Sequence, residues 1–307
     1  MSRSAFSPSP PSMAIEIASR RVTVLSVGRT SGGPAVTAHA TEPLPPGAVT
    51  PSLVGPNIAA TGVVAEALKR ALERAGLRAA RRAALIVPDA IARVSLLTFQ
   101  QVPAKAADLD QLIRWQMKKG TPFPLEEAQV THLPAHSGEG GTTFAAVVAR
   151  RDVIAQYEAV TEAAGIHAGL VDLSSFNVMN AIMAAGATST ADWLVVCLAP
   201  EGTTLAILRG TQLMFYRHRA AVEAEPLSAL VHQTAMFHED RLGGSRFSRV
   251  WVSGTSDDVR DDIGARLGLA AEPVDVRPAA NVTVESMDAL DALAAGVGVL
   301  LRDRKAA

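Results

Sequence analysis

One order of elements occurs twice along this chain, and it limits the folds open to it. In the first half, three strand-like runs (Met13–Ile17, Arg21–Val27 and Pro34–Thr41) precede a helix over Thr61–Gly76 and a short apolar strand, Ala83–Val87, stopped by Pro88. Val64, Leu68, Leu72 and Ala75 give that helix one apolar stripe. In the second half, Trp193–Leu198, Thr203–Arg209 and Gln212–Arg219 read as strands, Leu227–Leu242 as a helix and Arg249–Val252 as a short strand. Ser256 caps a helix with Val259, Ile263 and Leu267 on one face. Ser286 caps a last helix whose stripe is Leu290, Leu293, Val297, Leu300 and Leu301.

Three strands, a helix, a strand and a helix is the order of a ribonuclease-H-like unit. Two such units facing each other make an α/β actin-like fold, in which a nucleotide sits in the cleft between the lobes. The stretch between the repeats reads as strand (Ala92–Phe99), helix (Asp108–Lys119), strand (Gln129–Leu133), a Gly-rich loop flanked by His132 and His136, strand (Thr142–Ala149) and a closing helix (Asp152–Ala164). The expected division is therefore a disordered tail over 1–12, a first lobe over 13–90 and 165–188, an inserted strand-helix-strand-strand module over 91–164, a second lobe over 189–285 and a C-terminal helix over 286–307. Leu173–Ala185 is the helix that returns the chain to the first lobe.

Composition removes several classes. Lys and Arg number 29 against 30 Asp and Glu, so there is no basic excess for a nucleic-acid partner. The single Cys197 excludes an internal disulfide and fits a reducing compartment. No apolar run is long enough to span a bilayer, and the polar, Pro-rich start lacks the apolar segment of a secretory signal. Metal and hydrolase motifs of the HExxH, CxxC, GxSxG and P-loop types are missing, and His232 and His238 lie on different helix faces.

The stretch Asp108–Val130 is the most distinctive. Asp108 and Gln111 suggest a capping box, Leu109, Leu112, Ile113 and Met117 share a face, and Gly120 and Pro122 end the helix at a stiff Pro122-Phe123-Pro124-Leu125 corner. A helix with Ile113 and Trp115 that runs into this Pro-Phe-Pro-Leu-Glu-Glu corner resembles the PilM family, the actin-like (FtsA-like) cytoplasmic proteins of type IV pilus machines. Ala40–Val49, Phe237–Val276 and Ala294–Arg302 resemble other parts of that family.

The resemblance implies three nucleotide-gripping turns, and each is altered here. An intact turn presents an Asp that holds Mg²⁺ and a Gly that lets the backbone approach phosphate. In the first turn, Glu16 stands for Asp and Ala18 for Gly, with Ser19 retained; Arg20 and Arg21 follow, read as attracting phosphate or as solvated arginines. In the second, Cys197 stands for Asp, Ala199 for Gly and Pro200 removes a donor, while Glu201, Thr203 and Thr204 match. In the third, Gly254 remains but Thr255 replaces the second Gly. Glu16, Ser19, Glu201, Thr203, Thr204 and Gly254 thus form the remnant of a nucleotide cleft.

The resemblance implies a non-catalytic scaffold of a type IV pilus inner-membrane assembly complex. Its partner would be the N-terminal cytoplasmic peptide of a PilN-like bitopic protein, and its place the cytoplasm, peripheral to the inner membrane through that partner. The peptide groove is expected between module and first lobe, built from Ala92–Phe99, Asp108–Lys119 and the Pro122–Leu125 corner. Arg114, Trp115, Lys118 and Phe123 are its candidate contacts; Trp115 either anchors the partner or packs on Pro122. No catalytic residue and no resident cofactor are expected. The alternatives are an active ATPase that takes ATP or ADP with Mg²⁺ through Glu16 and Glu201, and the cytoplasmic domain of a type II secretion L-type subunit, which would continue beyond Ala307 into a membrane span.

Overall fold

Strand β1 (Met13–Ile17) is buried on both faces, and its two faces belong to different cores. Met13, Ile15 and Ile17 pack outward, toward the helices of their own lobe, while Ala14 faces the seam between lobes. This alternation follows from the two-residue period of a strand, and it aims Glu16 at the seam. The structure, a computed structural model, describes residues 11–223, 225–284 and 286–302. Residues 1–10 of the expected tail lie outside the described residues.

In chain order β1 is followed by β2 (Arg21–Thr30), β3 (Gly33–Pro43), α1 (Thr61–Arg74), β4 (Arg82–Val87), β5 (Ala92–Phe99), α2 (Ala106–Lys118), β6 (Ala128–Gly138), β7 (Gly141–Arg150), α3 (Arg151–Ala163), β8 (His167–Leu173) and α4 (Ser174–Ala184). The second half contains β9 (Asp192–Ala199), β10 (Gly202–Arg209), β11 (Gln212–Ala220), α5 (Leu227–Leu242), β12 (Arg249–Ser253), α6 (Asp257–Leu267), β13 (Ala271–Pro273) and α7 (Met287–Leu301). The first sheet has the order β3-β2-β1-β4-β8 and the second β11-β10-β9-β12-β13. In both, the first three strands are antiparallel and the last two parallel. The repeat read from element order is thus a repeat of connectivity. A third sheet, β5-β7-β6, forms the inserted module.

The matching topologies correct one expected boundary. In the second half, α6 crosses between the two parallel strands β12 and β13; its counterpart in the first half is α3, between β4 and β8. Val153, Tyr157 and Val160 of α3 lie in the first-lobe core with Val64 and Leu68 of α1, so the helix expected to close the module belongs to the lobe. The inserted piece is β5-α2-β6-β7. Strand β8 was not anticipated, because its alternation is weak until β4 supplies a parallel partner. Helix α2 starts at Ala106 with Lys105 at its cap, so Asp108 sits in the first turn and forms no capping box. His132 and His136 fall within β6 rather than beside a loop.

Where the lobes meet, α4 and α7 cross at close range. Gly298 of α7 stands against the backbone of α4, and a Cβ there would overlap the carbonyl oxygen of Asn177. Ala294, Ala295 and Val297 bring the rest of α7 close to α4 and to Leu25. Small residues are needed because backbones this near leave no volume for a side chain. Gly298→Ala is expected to lower stability by about 1–3 kcal/mol through overpacking. Gly62→Ala, on an open stretch of α1, is expected to be neutral or stabilising by up to about 1 kcal/mol. Thermal unfolding of the two variants checks the contrast.

Candidate functional site

Three depressions are formed by functional-type side chains: the cleft between lobes, a groove between the first lobe and the module, and a hollow of about 890 Å³ beside the β1–β2 and β9–β10 turns, lined by Ser19, Arg93, Glu201, Arg217 and His218. The cleft encloses about 250 Å³, below the roughly 300–1,000 Å³ of ordinary ligand pockets. The β1–β2 turn delivers Ser19, and the β9–β10 turn delivers Glu201. The two turns meet directly: Ser19 Oγ donates to Glu201 Oε2 at 2.8 Å. Glu16 accepts from Ser174 Oγ at 2.9 Å and lies 3.7 Å from the Arg21 guanidinium. Burial pushes the Glu16 carboxyl above the usual glutamate range; Arg21 opposes this, and the charge of Asp291 adds to it.

At the third turn Gly254 has φ +81, and a Cβ there would overlap the Leu198 carbonyl oxygen. Its retention is therefore explained by local sterics alone. Its N–H donates to Asp291 Oδ2 at 2.8 Å. Asp291 is also pushed up by burial, and its Oδ1 has no hydrogen-bond partner among the described residues. Cys197 faces the seam with Trp193 and Val195, and burial first, then the charges of Asp89 and Asp291, hold its thiol well above the ordinary range. A thiol raised in this way is held in its neutral form, whereas the nucleophile and the metal ligand are the thiolate.

Of the expected cleft residues, Glu16, Ser19, Glu201, Thr204 and Gly254 line the cleft. Thr203 does not. It shares the strand parity of Leu205 and Ile207, which pack under α5, so its side chain faces away from the seam. The residues missed from sequence are Asp89, Ser174, Ser175, Tyr216, His218 and Asp291. Asp89 follows the C-terminal end of β4, the edge where open α/β sheets place their sites, and that position was the available signal. Its Oδ1 accepts from Ser175 N–H at 3.1 Å and Ser175 Oγ at 2.9 Å, and its Oδ2 accepts from Thr204 Oγ at 2.7 Å.

The groove is larger, about 670 Å³. On one side it takes Gln129, Thr131 and Leu133 of β6 with Val147 and Ala149 of β7; on the other it takes α3, β8 and Phe176 of α4. The lining residues of β6 and β7 are alternate ones, so the groove lies on one face of the module sheet. The opposite face holds Phe144, Ala146 and Val148, packed beneath Leu109, Ile113 and Met117 of α2. The groove expected through α2 and the proline corner lies apart from this one, because α2 covers the far side of the sheet. Phe123 is 9% exposed and fills that module core, so its side chain presents little surface. Arg114, Trp115 and Lys118 sit on α2, away from the groove. Trp115 is 58% exposed, with the Lys119 ammonium 5.1 Å above its ring. Acids lie on the lobe side of the groove: Glu158, and Asp172, which burial pushes up while its 2.7 Å bond from Arg302 opposes the shift.

A family model described as type IV pilus assembly protein PilM matches residues 14–226. Among solved structures, the chain is similar to one described as the PilM-PilN type IV pilus biogenesis complex, with a TM-score of 0.77 at 18% identity, covering 95% of this chain and 96% of that one. It is also similar to the cytoplasmic domain of EpsL, an inner membrane component of the type II secretion system of Vibrio cholerae, with a TM-score of 0.52 at 10% identity, covering 96% and 94%. A protein of Bacteroides thetaiotaomicron with an actin-like ATPase fold and unknown function gives a TM-score of 0.51 at 7% identity, covering 92% and 94%. At these identities the likenesses establish an actin-like α/β fold.

The raised Glu16 has a measurable consequence. The folded chain keeps a proton there that the unfolded chain has released, so stability is full below the ordinary glutamate pKa and falls as pH rises through the raised value. Glu16→Gln stays neutral and still accepts from Ser174. Its unfolding temperature is expected to exceed that of the parent at neutral pH, with the difference closing toward pH values below the ordinary glutamate value of 4.5. A variant less stable at neutral pH would show that the Arg21 pairing outweighs burial.

Proposed function

Because the chain belongs to the type IV pilus assembly protein PilM family, we propose that it acts in type IV pilus assembly as a non-catalytic scaffold, holding the N-terminal cytoplasmic peptide of a PilN-like bitopic protein. The observation that carries this reading is the groove of about 670 Å³ between module and first lobe. Val147, Ile154, Val171 and Phe176 offer apolar contact for an extended peptide, and the exposed Leu133 adds one flank. Glu158 suits a basic side chain or a free amine at one end. No helix of the described residues is long and apolar enough to cross a membrane.

The cleft supports the non-catalytic half of the reading. The residues there do not fit Mg²⁺·ATP. Glu16 is committed to Ser174 and Arg21, Glu201 to Ser19, and Asp89 to Ser175 and Thr204. Glu16, Asp89, Glu201 and Asp291 crowd a small volume with Arg20 and Arg21, which leaves little room for a polyphosphate. Pro200 presents no N–H where the second phosphate turn would donate.

Leu133→Glu tests the groove without disturbing the core, because Leu133 is 47% exposed. Calorimetric titration with a synthetic peptide of the partner's cytoplasmic N-terminus should show binding weakened about tenfold or more, as befits an apolar contact turned into a buried charge. Trp115→Ala, on the other face of the module, should leave the affinity unchanged. The reverse pattern would return the peptide to α2 and reject the groove.

A further inference from the structure

The end of α2 is left without a role by the groove. Residues three and four apart are neighbours on a helix, so Arg114 with Lys118 and Trp115 with Lys119 form two adjacent rows. Arg93, at the start of β5, brings its guanidinium to the same end: a Cβ added at Gly120 would meet Arg93 Nη2 at 2.8 Å. Between Gln111 and Leu125 the sequence contains no carboxylate. The acids of the helix, Asp108 and Asp110, lie toward its other end, where Asp110 is 2.7 Å from His132 Nε2. Beyond the corner, Glu127 is 4.0 Å from Arg150, and the Glu126 carbonyl accepts from Arg151. A chain of net charge −1 therefore presents four cations around one exposed indole.

We propose that this end of α2 rests on an anionic lipid surface, with Trp115 in the headgroup layer and Arg93, Arg114, Lys118 and Lys119 on lipid phosphates. An indole 58% exposed, with a polar N–H edge and an apolar body, matches the boundary between water and acyl chains. Clustered cations supply the attraction to a negatively charged leaflet. A protein partner fits less well. Interface cores are depleted of lysine. Here the indole is ringed by lysine and arginine. The patch lies on the opposite face of the module sheet from the peptide groove, so the two sites are tested separately and neither result decides the other.

The three tryptophans make the test direct. Trp193 is fully buried and Trp251 is 7% exposed, so a change in emission on membrane contact reports Trp115. The full chain is mixed with vesicles containing phosphatidylglycerol, and in parallel with neutral phosphatidylcholine vesicles. The expected result is a blue shift and co-sedimentation with the anionic vesicles only, both reversed by salt. Trp115→Phe should remove the shift, and Lys118→Gln and Lys119→Gln should each weaken binding about fivefold. All three positions are exposed, and circular dichroism verifies that the variants fold. Absence of a shift with anionic vesicles overturns the proposal, as does equal binding to neutral ones. A shift produced by polyglutamate and not by the vesicles also overturns it and marks the patch as a docking site for an acidic protein.

Discussion

The carboxylate of Asp89 is a point at which hydrogen bonds from the two lobes converge. It sits past the end of β4, beside the start of α4 and opposite β10 of the other lobe. Three donors converge on it, two from Ser175 and one from Thr204. Because the Ser175 hydroxyl proton goes to Asp89, the 3.0 Å contact with Tyr216 must have the phenol as donor. Likewise the Thr204 proton goes to Asp89, so His218 Nδ1–H donates to Thr204 Oγ at 2.9 Å. One buried charge thus fixes the direction of hydrogen bonds on both sides of the seam. Hydrogen bonds to a charged acceptor are about twice as strong as neutral ones, and a buried carboxylate without donors would be costly.

This arrangement connects the altered turns to the proposed role. In an actin-like cleft, phosphate oxygens and Mg²⁺ are the material that bridges two hairpin turns. Here the turns bridge themselves through Ser19 and Glu201, and the seam behind them is filled by α4 and α7 packed backbone to backbone at Gly298. Under the proposed reading, a two-lobed frame of this kind needs no ligand to define the angle between its halves. That leaves the module free to act as a fixed wall for a peptide groove on one face of its sheet and, as proposed above, a lipid-facing helix on the other.

Much of this frame was legible in the sequence. Strands β1 and β5 and helix α5 fall on their expected bounds, and Gly243, in the left-handed region at φ +65, stops α5. The ownership of α3 was not legible: an amphipathic helix shows that it buries one face, not which neighbour it buries it against. The same limit applied to α2, whose apolar stripe was read correctly but whose sheet face was not. Phe123 and Trp115 look alike as aromatic anchors in a sequence, yet one completes the module core and the other stands in water. Thr203 was a different kind of miss, since its shared parity with Leu205 and Ile207 was already visible. Asp89 passed unnoticed because a lone acid after a strand-ending proline reads as loop until a second lobe brings Thr204 to it.

Small-angle scattering of the full chain, with and without saturating Mg²⁺·ATP, tests most directly whether the lobes are clasped by their own side chains. The account predicts one radius of gyration and one scattering profile in both conditions, because the cleft is closed before any nucleotide is added. A contraction on adding Mg²⁺·ATP would contradict it, since the free chain would then be open and the nucleotide would be what closes it.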